Sequence, residues 1–183
     1  MKKSRLLSSL LTLALTLGVV GLVFFNRQWI IDQVWYRSYT PTAQVNNLAE
    51  HAGLNSTGTF YLFASQPKVE DRSGFTASCG SHEPSTAILG CYTGMRIYLF
   101  DVNNAELDGI MEVTAAHEML HAAYDRLSSG EKNRVDTLLK AEAAKLEAGE
   151  ATFAKRMAVY KSLPQADFVN ELHSVKEKEA AGA

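Results

Sequence analysis

Residues 6–25 (LLSSLLTLALTLGVVGLVFF) run for 20 positions without a charged side chain, and no other feature restricts the fold as much. As a helix rising about 1.5 Å per residue, such a run crosses the roughly 30 Å hydrocarbon layer of a bilayer. It lacks an amphipathic face, which argues against an ordinary core helix at the start of a small domain. Lys2, Lys3 and Arg5 precede it while Arg27 and Arg37 follow. That bias places the N-terminus in the cytoplasm and the remainder outside. Trp29, Trp35 and Tyr36 fit an aromatic belt at the membrane interface. A cleaved secretion signal shares the basic start and the apolar run. No A-x-A-like site follows, however, and the run exceeds the usual signal core of roughly 7–15 residues. The expectation is an uncleaved single-pass anchor in the cell membrane, contacting the bilayer through residues 6–25.

Location gives the two cysteines their meaning. In an oxidising exterior Cys79 and Cys91 are expected to form a disulfide, because their spacing lacks the C-x2-4-C hook of a structural zinc site. With 183 residues, 46% of them hydrophobic, the rest of the chain suits one globular domain. Its 18 basic and 20 acidic residues are mixed along the chain and leave no footprint for nucleic acid.

Apolar Val45, Leu48, Ala49 and Ala52 recur at helical spacing within residues 41–53, and Gly53 with the polar run from Asn55 to Gly58 stops that helix. Residues 59–64 (TFYLFA) and 96–102 (RIYLFDV) are rich in β-formers and read as strands. Between them, residues 70–93 read as an irregular, cleft-shaping loop held by the cysteines. Helices are expected over 110–127, 131–146, 151–162 and 164–178, with a frayed tail at 179–183. The domain reading is a cytoplasmic start and anchor over 1–25, a juxtamembrane linker over 26–40 and one α+β domain over 41–178.

Within the first of those later helices stands His117-Glu118-Met119-Leu120-His121. Histidines four apart share one helix face, so both imidazoles reach one ion, and Glu118 between them addresses a water on that ion as general base. With only 5 histidines in 183 residues, the pattern seldom arises by chance. Thr114, Ala115, Ala116, Ala122 and Ala123 around it are uncharged, which predicts burial of the helix. A buried carboxylate without a partner is costly, so Glu118 needs a reason to be there.

The stretch TAAHEMLHAA over residues 114–123 resembles the extended motif of the zincin metallopeptidases. A wider set, from Gly90-Cys91-Tyr92 through residues 114–127 to Asn170-Glu171-Leu172-His173-Ser174, is similar to a small group of membrane-anchored bacterial metallopeptidases. In that group the N-E-L-H-S element precedes Gly-Thr-Glu; here Lys176, Glu177, Lys178 and Glu179 follow. The resemblance implies a zinc ion, peptide-bond hydrolysis and a peptide or protein substrate. It also implies a small zincin-like domain, with a short sheet and the HExxH helix packed against C-terminal helices. An edge strand ahead of the metal helix pairs with substrate in zincins, and residues 96–102 are similarly placed.

A catalytic zinc takes three protein ligands and keeps a position for water. His117 and His121 are two. Glu171 is the first choice for the third, because gluzincin-type sites take a glutamate from a later helix. Glu142 is the rival, lying within a stripe of Val135, Leu138, Leu139 and Leu146, and His173 is the next candidate. At 100° per residue Glu171 and His173 flank the apolar side of their helix from opposite edges, so they are not expected to hold the same ion. His173 could instead bind the oxyanion. His51 and His82 read as surface residues, Tyr124 as core, and Asp125 and Arg126 as solvent-facing. The alternative to a peptidase is a degenerate zincin-like module that binds zinc or peptide without turnover.

Overall fold

In the computed structural model the described residues are 2–80 and 88–160. The apolar run forms helix α1 (Lys2–Phe25), followed after Asn26 by α2 (Arg27–Ser38). The apolar side chains of α1 point outward, with Leu11 73%, Leu15 70% and Phe25 86% exposed. Among the described residues no single helix is long and apolar enough to cross a membrane, although α1 and α2 together, bent by 65°, satisfy length and composition. The segment read as a linker thus carries α2. That helix packs on α4 (Ser56–Ala64), where Tyr36 lies against Phe60 with ring centroids 5.0 Å apart.

Helix α3 (Ala43–His51) begins at Thr42, whose side chain accepts from Val45 N, and it buries Val45, Leu48 and Ala49 as expected. The next segment departs from the reading above. Residues 59–64 are not a strand but most of α4, because Asn55 Oδ1 accepts from Gly58 N at 2.9 Å and nucleates a helix. Helix α3 ends at His51 with Gly53 at positive φ, and the polar run expected to stop it instead starts α4.

Residues 70–93 are likewise not an irregular loop throughout. Strand β1 (Lys68–Glu70) leads into α5 (Arg72–Cys79), capped by Asp71, and β2 (Gly90–Thr93) follows. The Cys79–Cys91 disulfide is present and ties the end of α5 to β2, with Cα atoms 6.0 Å apart. Gly94 and Met95, both at positive φ, make the two-residue turn into β3 (Arg96–Phe100).

The sheet order is β1-β3-β2, with β1 parallel and β2 antiparallel to β3. Strand β3 is therefore central, which corrects its placement as the substrate-pairing edge; among the described residues β1 and β2 are the edges. Its alternation puts Ile97 and Leu99 into the core, while Phe100 meets Phe75 of α5 at 5.8 Å. On the core face lies α6 (Ile110–Asp125), joined to Leu48, Ala49 and Leu62 through Ala115, Met119 and Ala122.

Ser128 and Glu131 form a capping box for α7 (Ser129–Gly149), and α8 (Ala151–Tyr160) returns along it. These two share a separate small cluster of Ala143, Phe153 and Met157, flanked by Leu139 and Leu146. Among the described residues α6 is packed chiefly by elements that precede it, not by α7 and α8. The expected last helix over 164–178 lies outside the described residues. The architecture is α+β, mostly helical, with one three-stranded sheet.

Candidate metal centre

Burial of α6 follows from its composition. Small Ala115 and Ala122 let it lie close on the sheet and on α4, both at 0% exposure. That approach carries three polar side chains into the interior: His117, Glu118 and His121, at 9%, 5% and 8% exposure. The helical spacing puts the two imidazoles on one face, with ring centroids 4.8 Å apart and planes at 76°. Their Nε2 atoms are 3.1 Å apart. Two nitrogens bound about 2.0–2.1 Å from a tetrahedral zinc stand roughly 3.3 Å from one another. The spacing of the pair therefore fits two ligands of one ion, and borderline-soft imidazole nitrogen suits zinc.

Strand β2 lies directly over the residue between them. A Cβ built on Gly90 would meet Glu118 Cγ and Oε1 at 2.8 Å and Thr114 Cγ2 at 2.6 Å. Only glycine lets the strand backbone come this close. Gly90 belongs to the stretch on which the family resemblance rests, but the contact itself was not legible in the spacing.

Glu142 does not join the pair. It lies on α7 with its carboxylate 3.2 Å from Lys145 Nζ, and among the described residues no group of three His, Cys, Asp or Glu side chains could hold a metal ion. Glu171 and His173 lie outside the described residues, as does His82. His51 is exposed as expected, 3.8 Å from Glu112. Those two residues line a pocket of about 320 Å³ near the start of α6, and the pocket includes neither metal-helix histidine.

The end of α6 differs from expectation. Arg126 does not face solvent: its side chain is 4% exposed and lies against the equally buried Asp32 of α2. Arg126 Nε donates to Asp32 Oδ1 at 3.0 Å, and Nη2 stands 2.9 Å from the same oxygen. Nη1 donates to Ala122 O at 2.8 Å, and Gln28 Nε2 donates to Asp32 at 3.1 Å. Asp125, at 54% side-chain exposure, does face solvent and accepts from Tyr92 Oη at 3.0 Å. Burial raises the pKa of Tyr92 well above the usual phenol value, and Asp125 adds to the rise while Arg126 opposes it. Tyr124 is partly buried and donates to Asp136 at 2.7 Å; burial, then Asp136, push its pKa to about 12. It therefore stays protonated at neutral pH and joins α6 to α7.

Of the expected aromatic belt only Trp29 stands clear of the domain, at 62% exposure. Trp35 lies under Arg96, 5.5 Å from ring to guanidinium, and Tyr36 packs on α4. No protein-family model matches the chain, and no curated protein and no solved structure matches it.

Proposed function

We propose that this chain is a zinc-dependent peptidase, anchored in the cell membrane by α1 with its hydrolytic site on the extracytoplasmic side. The observation that carries the reading is the 3.1 Å separation of two imidazole nitrogens on a buried helix, with the Glu118 carboxylate buried beside them. His117 and His121 would hold the ion, and Glu171 is the proposed third ligand. Zinc, when bound, supplies Lewis-acid polarisation of a scissile carbonyl and acidifies water. Glu118 takes a proton from the attacking water as its oxygen bonds to the carbonyl carbon, and gives that proton to the amine as the C–N bond breaks. Gly90 keeps β2 close enough to confine the Glu118 carboxylate. An extended peptide would pair with the outer edge of β2, the edge strand that touches α6, and not with β3.

The anchor reading is supported by the outward apolar side chains of α1 and by the basic residues before them. Helix α2 forms no part of the span, because its Asp32 is buried in the domain against Arg126. The proposed span is then residues 6–25 of α1, read from the sequence, since among the described residues α1 by itself does not meet the length and composition that α1 and α2 meet together.

The test uses the full chain in detergent, with metal measured by mass spectrometry and hydrolysis by products from a mixed peptide library. Wild type should carry near-stoichiometric zinc and cleave. Glu118→Gln should keep zinc and lose cleavage, since an amide accepts no proton from water. Full zinc occupancy in a His117→Ala, His121→Ala double variant would sink the site, and undiminished turnover in Glu118→Gln would remove the general base.

A further inference from the structure

We infer that the outer face of α2 is a second membrane contact, lying in the headgroup layer of an anionic bilayer and holding the domain against it. The inference rests on the proposed anchoring by α1. At 3.6 residues per turn Trp29, Arg37, Ile30, Val34 and Arg27 fall within an arc of about 160°, while Asp32 points the other way into the domain. On that arc Trp29 is 62% and Val34 58% exposed, and both arginines are exposed. A tryptophan and a valine bare to water, with half-buried Ile30 beside them, between two arginines suit a surface apolar at depth and anionic above.

The bend brings α2 itself to the bilayer surface, and the face turned away from the domain is the one left to meet it. The 65° bend between α1 and α2 leaves α2 about 25° from the membrane plane when α1 stands along the normal. Val34 lies eight residues beyond Asn26, about 12 Å along the helix at 1.5 Å per residue. At 25° it rises about 5 Å, inside a polar layer roughly 5–8 Å thick on each side of the hydrocarbon. Arg37 rises about 7 Å and reaches the phosphates with its long side chain. A steeper α2 would lift Val34 clear of the layer; the observed bend does not.

The chain has two tryptophans, so Trp29 can be read against Trp35. Full-length protein is reconstituted into phosphatidylglycerol-containing vesicles with and without lipids brominated high on the acyl chain. Quenching of tryptophan emission is compared between wild type and Trp29→Phe, a change at an exposed position. Wild type should be quenched several-fold more than Trp29→Phe, and an Arg27→Gln, Arg37→Gln double variant should lose much of the difference. Retention of the protein after alkaline carbonate washing, with equal quenching in wild type and Trp29→Phe, would overturn the inference and leave the anchor standing. Release by carbonate would overturn the anchor, and the inference with it.

Discussion

Replacing Asp32 by alanine should destabilise the domain severely, although Asp32 lies far from the histidines in sequence and in a segment that reads as a linker. Asp32 contributes the carboxylate that neutralises Arg126, and the two side chains are 5% and 4% exposed. Without it the guanidinium keeps its bond to Ala122 O and its place 5.7 Å from the Tyr61 ring, but has no counter-charge. Removing one partner of a buried pair costs about 3–5 kcal/mol, because the remaining charge stays desolvated. That is about a fifth or more of the roughly 5–15 kcal/mol holding a typical domain together. At about 2–4 °C per kcal/mol for a domain of this size, Tm should fall by roughly 6–20 °C. Urea denaturation followed by tryptophan fluorescence gives the difference directly. An Asp32→Leu, Arg126→Met double variant should recover to within about 1 kcal/mol of wild type, since apolar replacement of both charges is near neutral. A cost below about 1 kcal/mol for Asp32→Ala would show that water reaches Arg126 and that the pair closes nothing. By the same reasoning a soluble fragment beginning near Arg37 should fold poorly, whereas one beginning at Asn26 keeps the pair.

Gly90→Ala should cost about 1–3 kcal/mol by overpacking against Thr114 and Glu118, and should lower turnover while zinc content, measured in parallel, holds. Glu171→Ala should weaken zinc affinity by orders of magnitude in a chelator competition, whereas Glu142→Ala should leave it unchanged while breaking an exposed pair with Lys145; the reverse order would make Glu142 the ligand. Tyr39, donating to Pro67 O at 2.6 Å, has its pKa pushed from 10.0 to about 12 by burial. Its folded-state value lies above the unfolded one, so its contribution is complete below about pH 10 and is lost as pH rises through 12. Tyr39→Phe should flatten the fall in urea midpoint over that window.

The parts of the fold legible in the sequence were those with a helical period. Val45, Leu48 and Ala49 mark α3 by their spacing, whereas α7 was expected from residue 131 and begins at Ser129, because the Ser128–Glu131 capping box was not read. Residues 59–64 were misread because a short run of apolar residues shows no period, so β-propensity decided. The local fact that overrides propensity is the bond from Gly58 N to Asn55, and a polar tetrapeptide reads equally well as a stop. At the site, the histidine pair was legible because its ligand geometry is built within one helix turn. The Asp32–Arg126 pair was not, because 94 positions separate its members and nothing local to Arg126 marks it as buried. The central place of β3 was hidden for a similar reason: β1 has three residues, too few to show alternation.

The same 94-residue separation sets an order of assembly. A chain synthesised at about 5–20 residues per second produces Arg126 roughly 5–20 s after Asp32. Throughout that interval Asp32 is hydrated and α2 has no ion-pair partner, while every residue of the main core up to Ala122 is being made. The arrival of Arg126, four residues past the last of those core positions, is the event that locks the first helix of the domain to the last turn of the metal helix.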